Sequence, residues 1–278
     1  MSDATDSRPP AAESNPRRPP RFGEEDRRLS YGSYLKVPEL LQLQRPEADP
    51  PAHDELLFIV VHQVYELWFK QILFGLESVR DLMTAGRPTG ARHLLERVMA
   101  IEEVAVTQIR VLETMAPQDF LEFRMHLAPA SGFQSVQFRE IEFISGLKDP
   151  AYLDRVGSSP EDRARLERRL AEPTLWDAFC KLLNDRGLPM PSDDLEARRS
   201  TLLRIARDRE GRADEYYLSE ALLEHDQHFA MWRSRHVLMV ERQIGTKSGT
   251  GGSTGAPYLR STLNKRFYPE LWDLRSYL

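Results

Sequence analysis

The sequence has little cysteine, no long apolar run and no strong excess of charge. Cys180 is the single cysteine in 278 residues, which excludes an internal disulfide and a cysteine-based zinc site and is typical of a reducing cytosol. No uninterrupted apolar run approaches a membrane span, because residues 56–61 are followed by His62 and Gln63. The net charge is −5 and the pI about 5.9, which favours neither nucleic acid nor an anionic membrane as a partner. These properties predict a soluble cytoplasmic protein.

Strand patterns are also missing. No segment alternates apolar and polar residues over a strand's length, and no fixed-period repeat is present. Apolar residues recur instead at spacings of three and four, which indicates helices. The sequence therefore predicts an all-α fold, a helical bundle in which other helices pack around two very long antiparallel helices.

The ends of the chain differ in composition from its middle. Residues 1–28 contain five prolines among Ser, Asp and Arg, which predicts a disordered tail. Residues 29–278 are predicted to form one domain, with the more polar residues 149–212 as a helical insertion. Predicted helices start at Pro38 and cover residues 54–84, 89–112, 118–127, 133–147 and 214–245, with three more starting at 160, 173 and 193.

Residues 53–70 are the most apolar stretch of the chain, and they contain a histidine near their middle. Asp54 is a suitable N-cap for this helix. Steps of three and four residues then line one helix face with Phe58, His62, Tyr65, Phe69, Ile72, Leu76 and Val79. This pattern predicts a central buried helix, and it leaves open whether His62 is buried for structure or for chemistry.

Several common enzyme motifs are absent or out of context. The sequence contains no His-Glu-x-x-His and no Glu-x-x-His, so zincins and ferritin-like di-iron proteins lack their ligands here. Gly251-Gly-Ser253-Thr-Gly255 matches the Gly-x-Ser-x-Gly sequence of a nucleophile elbow. That elbow needs a preceding strand and a parallel sheet, and neither is predicted here, so we regard the match as accidental. The glycine-rich residues 246–255 suit a hinge or lid, or backbone N–H groups that bind a carboxylate or phosphate.

Three histidines and one arginine allow more than one interpretation. His225 and His228 have the helical spacing of a shared metal site, but neighbouring carboxylates favour a solvated face. His236 lies among apolar residues and is either a hydrogen-bonded core histidine or an axial haem ligand. Arg124 ends an apolar helix and suits either a salt bridge or a bidentate clamp on a substrate carboxylate.

A set of five motifs then occurs together and in order. The region from Tyr31 to Leu278 closely resembles the tryptophan 2,3-dioxygenase family. The segments that carry this resemblance are Tyr31-Gly-Ser-Tyr34-Leu35, His53-Asp-Glu-Leu-Leu-Phe58-Ile-Val-Val-His62-Gln, Glu66-Leu-Trp-Phe-Lys70, Ser131-Gly-Phe-Gln-Ser-Val-Gln137 and Gly249-Thr-Gly-Gly-Ser253. The resemblance implies a homotetramer of helical subunits that contains haem b. It also implies a role in tryptophan catabolism, where O2 opens the indole ring of L-tryptophan to give N-formyl-L-kynurenine.

The same resemblance implies a role for individual residues. His236 would be the axial ligand of the haem iron, and His62 would lie near the indole N–H. Arg124 would bind the substrate carboxylate, and Thr250 the ammonium and carboxylate groups. Further substrate contacts would come from Phe58, Phe120, Leu127 and Gly249, haem contacts from Ser131 and Gly132, and contacts to a neighbouring subunit's site from Tyr31, Tyr34 and Leu35.

The sequence departs from the family pattern at a few positions. Ser234 replaces an aromatic residue of many relatives, Thr246 and Ser248 change the loop, and Phe120 lacks the hydroxyl that some relatives carry. These changes leave open a related monooxygenase that forms a 2-oxindole from tryptophan or β-methyltryptophan. A helical tryptophan sensor without turnover is the third hypothesis.

Overall fold

The computed structural model describes residues 29–156 and 159–278, and every regular element in these ranges is helical. The all-α prediction is therefore confirmed. The predicted disordered tail, residues 1–28, lies outside the described residues. The helices are α1 Tyr31–Leu35, α2 Val37–Leu40, α3 Glu55–Thr84, α4 Pro88–Leu112, α5 Pro117–Arg124, α6 Val136–Ser145, α7 Tyr152–Val156, α8 Pro160–Ala171, α9 Leu175–Asp185, α10 Leu195–Arg207, α11 Ala213–Ile244, α12 Ala256–Ser261 and α13 Pro269–Asp273. Single 3₁₀ turns cover Met125–Leu127, Gly132–Gln134 and Leu274–Tyr277.

The described residues up to Gln44 and those from Arg45 onward form separate compact units. In the first unit, Ser30 and Ser33 form a capping box at the start of α1, and Pro38 lies in the first turn of α2. The helix predicted at Pro38 is thus present, one residue earlier than expected. The side chains of Tyr31 and Tyr34 are exposed.

Three long helices, rather than two, form the centre of the second unit. Residues 85–87 join α3 to α4, so these helices are antiparallel, and α11 packs against α4. The predicted apolar row of α3 is buried from Tyr65 onward, with Ile72, Leu76 and Val79 almost fully enclosed. The row therefore forms part of the core from Tyr65 onward. Its first two residues, Phe58 and His62, are only partly buried.

The ends of two helices differ from the predicted ones. Asp54 is the N-cap residue of α3, but its carboxylate contacts His53 and makes no capping hydrogen bond. Helix α4 begins at Pro88, one residue before the predicted start at residue 89, because the fixed φ of proline suits a first helical position.

The polar region 149–212 contains four described helices where the sequence predicted three. The additional one is α7, which has five residues and is too short to show a helical period. Helix α9 packs against the central helix α3, and α8 packs against α6, which itself packs against α3. The assignment of this region as an insertion into one domain stays a prediction.

Helix α3 is the one helix of the described part of the chain that is long and apolar enough to cross a membrane. Core helices of water-soluble proteins meet the same measure. Its buried side chains pack on α4, α6 and α9. We therefore treat α3 as a core helix.

His225 and His228 do not lie on a solvated face, so that interpretation of the sequence is wrong. Both side chains are buried between α11 and α4. The Nδ1 atom of His225 lies 2.7 Å from Oε1 of Glu102, and its Nε2 atom lies 3.0 Å from the Ser145 hydroxyl. A buried carboxylate satisfies the imidazole, which is why a polar stretch of α11 tolerates burial.

Gly75 of α3 packs directly against a side chain of α4. A Cβ at this position would lie 2.6 Å from a methyl group of Val98, a β-branched residue with a stiff side chain in a helix. Gly75→Ala is therefore expected to destabilise the protein by about 1–3 kcal/mol through overpacking. Thermal unfolding measures this as a lower melting temperature, and the double variant with Val98→Ala should regain part of the loss.

Gly90→Ala provides the matched control for this prediction. Its Cβ would lie 3.6 Å from the nearest Leu82 atoms, which is ordinary contact. Alanine also has the higher helix propensity, so Gly90→Ala should keep or raise the melting temperature. A melting temperature unchanged by Gly75→Ala would contradict the proposed close packing.

Candidate active site

One cavity of about 620 Å³ lies between α3, α5, α11 and the glycine-rich loop. Its volume falls within the range of about 300–1,000 Å³ that is usual for ligand and cofactor sites. Its walls are mostly aromatic and aliphatic. The cavity brings together ten of the residues selected from the sequence: Phe58, His62, Phe120, Arg124, Leu127, Ser131, Gly132, His236, Gly249 and Thr250.

His62 and Phe58 lie one turn apart on α3 and form one wall. Their ring centroids are 4.0 Å apart, and Phe58 also packs against Phe120 and Phe123. The Nδ1 atom of His62 lies 2.7 Å from the carbonyl oxygen of Phe58. A carbonyl oxygen only accepts, so Nδ1 carries the proton and Nε2 of the neutral ring is an acceptor. Burial lowers the pKa of His62, which favours this neutral form.

His236 lies in the cavity wall on α11. The indole ring of Trp232, one turn earlier, stacks on its imidazole at a centroid distance of 4.9 Å and an interplanar angle of 11°. Burial, together with a smaller contribution from the nearby His62 imidazole, lowers the pKa of His236 to about 4. At neutral pH the imidazole is uncharged, so a nitrogen lone pair is available to a metal.

Arg124 and the glycine-rich loop meet at one side of the cavity. The Arg124 side chain is buried at the end of α5, and its Nη2 group donates a hydrogen bond to the carbonyl oxygen of Ser248. The Thr250 hydroxyl donates to the carbonyl oxygen of Ala130 at 2.7 Å. A cation, a hydroxyl and loop backbone therefore lie together, which suits the binding of a carboxylate.

The glycine-rich loop lies close to Ala130 and Ser131 because glycine has no side chain that would hold the two segments apart. A Cβ on Gly251 would lie 2.5 Å from the Cβ of Ser131, so a larger residue would push the loop away from this segment. The hydrogen bond from the N–H of Gly249 to the carbonyl of Ser253 closes the turn at 3.0 Å. Loop glycines thus bring Thr250 next to Ala130.

Comparison with known proteins agrees with this arrangement. The family model of tryptophan 2,3-dioxygenase matches residues 20–179 and 194–278. A tryptophan 2,3-dioxygenase of a Nocardioides species is 60% identical over 263 residues, which cover 92% of this chain and 97% of that protein. The enzyme of the same name from Herpetosiphon aurantiacus is 47% identical over 259 residues, covering 89% and 98%.

The chain belongs to the tryptophan 2,3-dioxygenase family. This membership confirms the resemblance stated from the sequence motifs, and it makes the chain an oxidoreductase. The family is haem-dependent and uses O2.

The cavity of this tryptophan 2,3-dioxygenase family member fits a haem group. A single neutral imidazole, His236, suffices as a protein ligand because a porphyrin supplies the other four nitrogens around iron. The lining is largely apolar, as a porphyrin face requires, and it includes Phe138, Leu259 and Val240. Two buried arginines, Arg139 and Arg233, also line it and could neutralise the acidic groups of haem.

Three predicted site residues belong to the other compact unit of the chain. Tyr31, Tyr34 and Leu35 all lie on α1, where their side chains are exposed by 79%, 71% and 45%. The assignment of these residues to a neighbouring subunit's substrate site stays a prediction.

Sequence reasoning missed several residues of the cavity wall. Trp232 had a visible signal, because it precedes His236 by one helical turn. The signal was weaker for three buried charged residues, which the sequence shows only as charges beside apolar neighbours: Arg139, Glu142 and Arg233.

Proposed function

We propose that this chain cleaves the C2–C3 bond of the indole ring of L-tryptophan and inserts both atoms of O2, giving N-formyl-L-kynurenine. The observation that carries the proposal is the meeting of two neutral imidazoles and a carboxylate-binding corner in one apolar cavity. His62, His236 and Arg124 come from three different helices, and residues of the tryptophan 2,3-dioxygenase family motifs supply the rest.

We propose haem b as the cofactor and His236 as the residue that would hold its iron. When bound, the haem iron supplies the activation of O2 that no amino-acid side chain provides. The stacked Trp232 ring fixes the plane of the His236 imidazole. Ser131 and Gly132 line the same cavity and would contact the haem.

The amino-acid end of the substrate would bind at the corner formed by α5 and the glycine-rich loop. The Arg124 guanidinium would hold the substrate carboxylate, and the Thr250 hydroxyl would contact the carboxylate and ammonium groups. Gly249 lies in the same loop, and Phe120 and Leu127 line the cavity beside it. Holding one end of the substrate orients the indole ring before the reaction begins.

The indole ring would lie against the wall formed by Phe58 and His62. Because the Nδ1–H group of His62 donates a hydrogen bond to the Phe58 carbonyl, Nε2 is the atom that can accept a hydrogen bond from the indole N–H. His62 thereby orients the ring and selects a substrate with an N–H group. The apolar rings around it exclude water from the reacting carbons.

We also propose a homotetramer in the cytoplasm. Helix α3 carries exposed apolar side chains at steps of four and seven residues, which is unusual for a helix facing water: Leu56, Val60, Leu67 and Phe74. The exposed Tyr31, Tyr34 and Leu35 suit contact with the substrate site of a neighbouring subunit. The single cysteine suits the reducing cytoplasm.

The proposal is tested by turnover of the haem-loaded, reduced protein. Incubation with L-tryptophan in air is expected to produce the absorbance of N-formylkynurenine, and no product should form when O2 is removed. Binding of tryptophan without O2 consumption would instead support a sensor.

A further inference from the structure

A second, small cavity lies next to the active-site cavity, between α3, α4, α6 and α11, and no step proposed above depends on it. Its volume is about 10 Å³, which is about the least that holds one water molecule. Three of its lining side chains are polar, namely Glu102, His228 and Trp232. The other lining side chains are apolar: Phe69, Ile72, Ala105, Phe138 and Phe229.

Each of the three polar side chains has a buried atom without a hydrogen-bond partner among the described residues. These atoms are Oε2 of Glu102, Nδ1 of His228 and Nε1 of Trp232. Glu102 and His228 are only 3% and 5% exposed, so bulk water does not reach them. A carboxylate oxygen accepts, an indole N–H donates and an imidazole nitrogen does either. Together they supply the roughly three hydrogen bonds that a buried water molecule makes.

The three groups do not satisfy one another directly. Nδ1 of His228 lies 3.6 Å from Oε2 of Glu102, which is too long for a hydrogen bond and suits a bridging water. The other carboxylate oxygen of Glu102 lies 2.7 Å from Nδ1 of His225 and is therefore already paired. The Tyr65 hydroxyl donates to the Ala105 carbonyl at 2.8 Å, and it is not aligned to accept from the indole N–H. A buried unpaired donor and acceptor each cost free energy, and one bridging water removes that cost.

Trp232 connects this cavity to the proposed haem ligand. Its indole ring stacks on the imidazole of His236 at a centroid distance of 4.9 Å and an angle of 11°, so the orientation of one ring constrains the plane of the other. The same indole ring lines the small cavity. Groups that contact a metal-binding histidine from outside the coordination sphere commonly orient its ring, and Trp232 is in the position to do so.

We infer that the small cavity binds one water molecule, which accepts a hydrogen bond from Trp232 and donates one to Glu102. This link makes Glu102 a positioning residue, which acts through Trp232 on the plane of the His236 imidazole. The positioning role rests on the proposed haem-dependent function. The water site does not, because all of its partners are side chains of this chain.

The water site is tested by a crystal structure of the full-length protein at a resolution that shows ordered water. One water molecule is expected in the small cavity, within about 3.2 Å of both Nε1 of Trp232 and Oε2 of Glu102. A cavity without density for water would overturn the water site, and so would an aligned direct hydrogen bond from the indole N–H to a protein group.

The positioning role is tested by resonance Raman spectroscopy of the haem-loaded, ferrous protein, in which the width of the iron–histidine stretching band reports how uniformly the imidazole is oriented. Glu102→Gln is expected to broaden this band. The amide oxygen would remain with His225, so an NH2 group would replace the acceptor that faces the water. The same substitution made in Trp232→Phe, which keeps an aromatic ring without the N–H, should cause no further broadening because the link is already cut.

Glu140→Gln is the matched control. Glu140 is a carboxylate on α6 that is 1% exposed and accepts from Arg169 at 3.2 Å, but it lines neither cavity. Its substitution should lower the melting temperature and leave the width of the iron–histidine band unchanged. Glu102→Asp, which keeps the charge but is shorter by one methylene, serves if Glu102→Gln does not fold.

The outcomes separate the inference from the function on which it rests. A band that the Glu102 substitution leaves unchanged, or broadens equally with and without Trp232→Phe, would overturn the positioning role while leaving the haem proposal intact. A wild-type protein that binds no haem would overturn the haem proposal and the positioning role together. The crystal structure would still decide the water site.

Discussion

His236→Ala is expected to leave the purified protein without bound haem, even when haem is supplied. His236 is the buried imidazole that is proposed to hold the iron, and burial keeps its pKa near 4, so it stays available as a neutral ligand. Its removal takes away the iron–nitrogen bond and the ring on which Trp232 stacks. The measurement is the Soret absorbance together with the iron content per chain.

Two controls separate ligation from a structural role. Free imidazole added to His236→Ala should restore a Soret band, because it can occupy the space of the lost ring and bind the iron. His228→Ala removes another buried imidazole of α11 that does not line the main cavity, and it should retain haem. Normal iron content in His236→Ala would show that the ligand assignment is wrong.

Arg124→Ala is expected to raise the Michaelis constant for L-tryptophan roughly 10- to 150-fold. The loss of a charged hydrogen bond costs about 1.5–3 kcal/mol, and each 1.4 kcal/mol is about tenfold in binding. Steady-state kinetics with the haem-loaded variant measures this change. Arg124→Lys keeps the charge without the planar fork, so it should recover only part of the affinity.

Tryptamine, which lacks the carboxylate, isolates the contact with the substrate. The wild-type protein should prefer L-tryptophan to tryptamine, and Arg124→Ala should lose this preference. The comparison matters because Arg124 also donates to the Ser248 carbonyl, and the variant loses that contact with either compound. A Michaelis constant for L-tryptophan that does not change would exclude the carboxylate clamp.

The spacing of apolar residues along the chain was enough to predict the long helices. The apolar row through Phe69 and Leu76 predicted a central helix, which the structure confirms as α3. The same row could not assign a role to His62, because a helical period only says which face a residue lies on. The motifs that resemble the tryptophan 2,3-dioxygenase family named the residue, and the fold then brought ten of the named residues to one cavity.

The failures of sequence reasoning concern partners that are distant in the chain. His225 and His228 looked solvated because their carboxylate neighbour, Glu102, lies on another helix: its Oε1 atom is 2.7 Å from Nδ1 of His225, and its Oε2 atom is 3.6 Å from Nδ1 of His228. Arg139 and Arg233 escaped notice for the same reason, since Glu142 joins them only after α6 and α11 pack together. A buried charge is tolerated because it has a partner. The periodicity of one helix does not show which residue of another helix that partner is.

The most direct test of the central claim is mass spectrometry of the product formed from L-tryptophan under isotopically labelled O2. The account predicts N-formyl-L-kynurenine that contains two labelled oxygen atoms. Omission of the haem and the variant His236→Ala should each give unchanged tryptophan. A product that contains one labelled oxygen atom, as in a 2-oxindole, or no product from the haem-loaded wild-type protein, would contradict the account.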